Sequence, residues 1–150
     1  MKQVKISLKK KKGCEDLPTP KYATSGSSGM DLYADVEGEV VLSPGEIKLI
    51  SAGIYLDIPE GYEAEIRPRS GLALKHGISL VNTPGTIDSD YRGEIKVILV
   101  NLSNEEFIIC DGERIAQMVI AAHEKAEWVE ADEIADTVRG AGGFGHTGTK

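Results

Sequence analysis

Cysteine, aromatic residues and long apolar runs are all scarce in this chain, and each scarcity excludes something. Two cysteines, Cys14 and Cys110, are too few for a disulfide framework or a cysteine-built metal centre. The longest uninterrupted apolar runs are four or five residues, as in Val97–Val100 and Met118–Ala122, too short for a membrane-spanning helix. The lysine-rich beginning has no apolar stretch behind it, which predicts no secretory leader, no membrane partner and a cytoplasmic location. Aromatic residues are only 5% of the 150 positions, so the core must be built from Val, Ile, Leu and Ala. A single domain with that kind of core leaves a role for association with other copies. Chemistry-bearing patterns are equally sparse. His76, His123 and His146 lack ligand spacing, which argues against zinc. No Gly-x-Ser-x-Gly elbow and no Ser-His-Asp set is present.

What the chain does have is acidity, unevenly spread. The net charge is −7, yet six lysines, Lys2, Lys5, Lys9, Lys10, Lys11 and Lys12, precede the first acid, Glu15. Everything after Lys12 carries 11 basic side chains against all 24 acidic ones, a charge of −13. So acidic a body predicts no stable nucleic-acid binding, because that affinity rests on neutralising phosphates. The run Lys9–Lys12 reads as a solvated strand end or tail, with a nucleic-acid or membrane tether as the alternative.

Apolar residues recur with period two. Val4, Ile6 and Leu8 alternate with lysine and serine; Tyr62, Ala64 and Ile66 with Glu63, Glu65 and Arg67; Ile95, Val97 and Leu99 follow the same rule. Turn signals such as Ser43-Pro44-Gly45, Pro59-Glu60-Gly61, Thr83-Pro84-Gly85 and Asp111-Gly112 break the chain at short intervals. This predicts an all-β domain over residues 1–150, a sandwich, jelly roll or barrel. Gly71–His76 is the one helical stretch, and Glu124–Asp136 reads either as a helix or as an edge strand followed by a turn. Residues 1–14 form a basic strand or tail, and residues 139–150 a glycine-rich tail.

Five segments carry candidate chemistry. Gly29-Met30-Asp31-Leu32-Tyr33-Ala34 sets one acid in an apolar strand, where it is either hydrogen-bonded structurally or faces a metal or water. Arg67-Pro68-Arg69-Ser70-Gly71 joins a strand to the helix, so a guanidinium, a hydroxyl and helix amides can meet an anion there; the alternative is a plain helix start with a surface arginine. Asn82–Gly93 is a polar, hairpin-like insert between apolar strands, a length that is often functional. Its Asp88 and Asp90 also suit turn amides, and Tyr91 a core edge. Gln117 interrupts the apolar strand Glu113–Ile120. The tail RGAGGFGHTGTK looks superficially like a P-loop, but its lysine is the last residue and no helix follows. It is either a disordered end or a strap, with Phe144 stacking on a planar ring and Arg139 and the amides meeting phosphate.

In this order these segments resemble the five motifs of the trimeric dUTP nucleotidohydrolases (dUTPases). They are GMDLYA at Gly29–Ala34, RPRSGLALKHGI at Arg67–Ile78, NTPGTIDSDYRGEI at Asn82–Ile95, ERIAQMVI at Glu113–Ile120 and RGAGGFGHTG at Arg139–Gly148. The stretch Leu17–Thr24 is similar to that family's lead into its first motif. One departure is His146, where the family's tail commonly has serine.

The resemblance implies a jelly-roll-like subunit with a flexible C-terminal strap, and a homotrimer whose active sites are each assembled from all three copies. It also implies Mg²⁺ on the triphosphate and hydrolysis of dUTP to dUMP and pyrophosphate. By matching position, Asp88 is implied as the base that deprotonates the attacking water, and Asp31 as the acid that holds Mg²⁺ through water. Arg69, Ser70 and Gly71 take phosphate oxygens, and Gln117 lies near the α-phosphate. Asn82, Gly85, Thr86, Ile87 and Lys96 read the uracil, and Tyr91 packs under the sugar. Arg139, Phe144, Gly145, His146 and Thr147 close over base and phosphates. The neighbouring readings are a dCTP deaminase, which shares the fold, and a non-catalytic nucleotide-sensing module. The Asp88 loop and the Phe144 tail resemble the hydrolase, and a sensing module has no need of both Asp31 and Asp88.

Overall fold

Period-two alternation becomes eleven strands and one short helix among the residues that the computed structural model describes, 3–146. The strands are β1 (Ser7–Lys10), β2 (Gly29–Tyr33), β3 (Glu39–Leu42), β4 (Ile47–Ser51), β5 (Ile54–Asp57) and β6 (Tyr62–Arg67). After the helix α1 (Ser70–His76) come β7 (Ile78–Leu80), β8 (Gly85–Ile87), β9 (Lys96–Asn101), β10 (Phe107–Cys110) and β11 (Arg114–Ala122). All pairings are antiparallel. One sheet runs β2-β11-β6-β8 and another β4-β9-β7, and β1-β5 and β3-β10 are two-stranded ribbons. This is the expected all-β, jelly-roll-like arrangement.

Alternation decides which side chains fill the interior. In β6 Ala64 and Ile66 are buried, and in β9 Val97, Leu99 and Asn101. With Leu32, Leu42, Ile50, Ile78, Ile109 and Ile115 the apolar members form one continuous core to which both larger sheets contribute. At about 25 cal/mol per Å² of apolar surface, such burial is the main stabilising term. Asn101 is the one buried polar residue among those described. Its Nδ2 donates to the carbonyls of Leu42 at 2.8 Å and Glu105 at 2.7 Å, and its Oδ1 accepts from the Ser103 amide at 2.9 Å. Helix α1 stops at Gly77, whose φ of 65° is left-handed and whose missing Cβ leaves room for the Ser103 backbone.

Three expectations change. The first strand starts at Ser7, although burial already alternates from Gln3 onward. The insert Asn82–Gly93 is not all loop, because β8 within it pairs with β6. Glu124–Asp136 is neither helix nor strand but an exposed irregular segment. Its side chains find nothing to pack on within one copy, and Trp128 is 90% exposed. No helix among the described residues is long and apolar enough to cross a membrane.

Candidate active site

The long strand β11 lies between β2 and β6, and its register sets three polar residues abreast: Asp31, Gln117 and Arg67. A register shift between Arg114 and Ala116 interrupts β11 just before this row. Such a bulge re-aims a side chain, and here Arg114 turns toward Asp31, with Nη1 3.5 Å from Oδ2. Arg69, at the N-cap of α1, donates from Nε to Asp31 Oδ1 at 2.8 Å and from Nη1 to the carbonyl of Arg114 at 3.2 Å. Gln117 Nε2 donates to the carbonyl of Pro68 at 2.9 Å, so this amide holds the turn that presents Arg69, Ser70 and Gly71. Gly29 is required beside it: a Cβ there would lie 2.3 Å from Gln117 Oε1.

Two guanidinium groups on one half-buried carboxylate leave local positive charge in an otherwise acidic chain, suited to an oligophosphate. Arg114 escaped sequence reading. Strict alternation puts it on the opposite face from Gln117, three residues on, and only the bulge brings the two together.

The hairpin residues gather elsewhere. Asn82 and Thr86 are exposed, Gly85 is buried with Asn82 Nδ2 against it, and Ile87 is half-buried at the end of β8. Asp88 follows, exposed, and its carboxylate has no hydrogen-bond or ion-pair partner among the described residues. Tyr91 is 44% exposed and donates its hydroxyl to the carbonyl of Glu94 at 3.0 Å. Lys96 opens β9 on its exposed side, 3.6 Å from Glu94. From β2 to β8 is three strand spacings, about 14 Å. Ile87 pairs with Ala64, so Asp88 also lies about four residues, roughly 13 Å, along the sheet from the row of Asp31. Asp31 and Asp88 of one copy are thus roughly 20 Å apart, too far to act on one phosphorus atom.

The tail is a third group. Arg139 Nε donates to the carbonyl of Gly142 at 2.7 Å, the His146 amide donates to the carbonyl of Gly143 at 3.1 Å, and the Phe144 ring points into solvent beside Gly145. Thr147 lies outside the described residues.

For a divalent cation the donor set is thin. Among the described residues no three His, Cys, Asp or Glu side chains gather. A lone carboxylate, Asp31, fits Mg²⁺, which is commonly held by one or two carboxylates together with substrate phosphates.

Comparison with known proteins bears on these groups together. The dUTPase family model matches residues 15–148. A deoxyuridine 5'-triphosphate nucleotidohydrolase of a Thermoanaerobacter species is 57% identical over 143 residues, 95% of this chain and 97% of that one. The enzyme of that name from Finegoldia magna is 60% identical over 131 residues, 87% of this chain and 92% of that one. Among solved structures, a point mutant of the dUTPase of Staphylococcus bacteriophage 80alpha with dUpNHpp superposes with a TM-score of 0.85 at 24% identity, over 96% of this chain and 98% of that one. A point mutant of the dUTPase of S. aureus phage phi11, described with a structural Mg(II) ion, has a TM-score of 0.77 at 21% identity, over 88% and 99%. With five motifs in order, three of them meeting at Asp31, and a match over nearly its whole length, the chain belongs to the dUTPase family.

Proposed function

We propose that this chain hydrolyses dUTP to dUMP and pyrophosphate, in sites to which three copies each lend a different group of residues. The observation that carries the reading is the convergence of Arg69 and Arg114 on Asp31, with Gln117 in register beside it and bonded to the Pro68 carbonyl, a cluster suited to a triphosphate. Arg69, with Ser70 and Gly71, binds phosphate oxygens, and Gln117 steadies their turn while its second N–H remains for the α-phosphate. Asp31 meets, through water, the Mg²⁺ that arrives with the nucleotide. That ion supplies charge neutralisation on the triphosphate. Asp88 takes the proton of the attacking water. An exposed carboxylate with no partner of its own suits that task.

The separation of roughly 20 Å between Asp31 and Asp88 supports a shared site. So does an apolar surface on the β4-β9 pair. Exposed Ile47 and Leu49 stand opposite Val100 and Ile98, and cross-strand partners share a face. A second copy covers such a face. Exposed Trp128, Val129, Ile134 and Val138 in the segment after β11 then have a neighbour to pack against. That segment carries Arg139, Phe144, Gly145, His146 and Thr147 to a site on another copy. Asn82, Gly85, Thr86, Ile87 and Lys96 read the base, and Tyr91 faces the sugar.

Purified protein mixed with dUTP and Mg²⁺ releases pyrophosphate under this reading. Release of ammonia identifies a deaminase instead, and tight binding without turnover identifies a sensing module.

A further inference from the structure

The lysine run Lys9–Lys12 belongs to none of the five motifs, and two of its members are not the solvated side chains that a charge run predicts. Lys10 Nζ donates to the carbonyl of Glu15 at 2.7 Å and to that of Leu17. Lys11 reaches further. Its ammonium lies 2.6 Å from Asp35 Oδ2 and 3.3 Å from Glu94 Oε1. Between those carboxylates sits Ser51 Oγ, 2.7 Å from Asp35 Oδ2 and bonded also to Glu94 Oε1. A hydroxyl has one proton and can donate to only one carboxylate at a time. Lys11 is therefore the principal charge that allows the two carboxylates, 20% and 14% exposed, to stand side by side; Lys96 touches only Glu94, at 3.6 Å. Without it they repel in a half-buried site, and the freer arrangement turns Glu94 outward.

Glu94 is also where Tyr91 is fastened. The Tyr91 hydroxyl donates to the Glu94 carbonyl, and the phenol lies so close over Gly93 that a Cβ there would be 2.2 Å from Tyr91 Oη. The next residue is already rigid: the Ile95 amide donates to the Ile54 carbonyl at 2.9 Å, and its carbonyl accepts from Ala52 at 3.0 Å. The bond from the Ile95 amide holds the Ile95 end of the planar peptide that carries the Glu94 carbonyl, while the Glu94 end is held through its side chain, by Ser51 and Lys11.

We propose that Lys11 is a positioning residue for deoxyribose selection: by neutralising Asp35 and Glu94 it fixes the Glu94 carbonyl, which sets the angle of the Tyr91 ring. This inference rests on the reading above that Tyr91 faces the sugar. The experiment measures kcat/KM for dUTP and for UTP, with thermal melting as a control on folding. Lys11→Met and the milder Lys11→Gln lower the dUTP-to-UTP ratio about fivefold, within the range that positioning substitutions commonly produce, and Lys11→Arg restores it. Tyr91→Phe, which keeps the ring and loses its tether, lowers the ratio similarly. Lys11→Gln combined with Tyr91→Phe falls no further than either alone, because both cut the same link. A folded Lys11→Gln or Lys11→Met protein with the original ratio overturns the inference, even if its melting temperature drops. Tyr91→Ala separates the two levels. If it leaves the ratio unchanged, the sugar-facing reading fails and the inference with it; if it lowers the ratio while the Lys11 variants do not, only the inference fails.

Discussion

Arg69 Nε donates to Asp31 Oδ1 at 2.8 Å, so the arginine read as a phosphate ligand and the acid read as a metal contact neutralise each other. Asp31 aims the guanidinium as much as it opposes the phosphates. Asp31→Asn should therefore weaken nucleotide binding, although simple charge counting predicts the reverse. With EDTA present, so that no metal contributes, a non-hydrolysable dUTP analogue should bind about tenfold less tightly, or ~1.4 kcal/mol. Tighter binding would show that Asp31 acts on phosphates only by repulsion.

Asp88→Asn should bind dUTP with little change and hydrolyse it about 10²- to 10⁴-fold more slowly, since the amide keeps the shape of the carboxylate and cannot take a proton. Single-turnover kinetics separate the two steps. Near-original turnover removes Asp88 from the chemistry.

Leu49→Glu inserts a charge into the apolar face of β4 without touching the core, because Leu49 is exposed in the single copy. Light scattering should shift from a trimer to a 16.1 kDa monomer, and dUTP turnover should vanish with it. A fully active monomer contradicts the shared site.

Removal of residues 139–150 should leave the trimer intact and nearly abolish turnover. The tail, as far as it is described, bonds only to itself and to Thr137 just before it, so nothing in the core depends on it. A truncated trimer that works at full rate excludes the strap from catalysis.

The Lys11 cluster makes stability depend on pH. The Lys11 ammonium, with Ser51, holds the Asp35 carboxyl below its usual value despite its burial. For Glu94 burial pushes the other way and is outweighed by the bonds from Ser51 and Lys11. Lys11 in turn is raised above its ordinary value by Asp35 and Glu94. A carboxylate whose value is depressed by folding stabilises the protein above its unfolded value and loses that contribution as the pH falls through the folded one. The difference in melting temperature between the original protein and Lys11→Met should be full at pH 7 and shrink below about pH 4. A difference that persists unchanged at pH 3 assigns the effect of Lys11 to packing.

Cys14 adds a contrasting sign. Burial first, and Asp35 second, push its thiol up to about 11, so at neutral pH it remains an unreactive thiol within the fold.

Local pattern made much of this legible. Alternation such as Tyr62–Arg67 predicted strands because a half-buried sheet needs side chains of opposite character on its two faces. Gly71–His76 marked the helix within one residue of its observed start, and the motif strings marked Asp31, Arg69 and Gln117. Other features were hidden because they depend on registry or on distant partners. Strict alternation sets Arg114 on the core face with Ala116 and Met118, and only the bulge re-aims it toward Asp31. Lys11 looked like one of four equivalent lysines, since nothing local distinguishes the one that meets Asp35 and Glu94. The segment Glu124–Asp136 fitted two secondary structures and adopts neither, because its apolar residues have no surface to cover within one copy.

By itself, then, the sequence determined the all-β class, the Val, Ile, Leu and Ala core, and the residue types available for a nucleotide, since periodicity, turn chemistry and motif order are local properties of the chain. Only the tertiary structure decided that Arg69 and Arg114 meet on Asp31, that Asp88 stands roughly 20 Å from that cluster, and that Lys11 is joined to the Tyr91 hairpin. Those relationships depend on strand order and register, and side chains far apart in sequence meet only where the sheets bring their strands together.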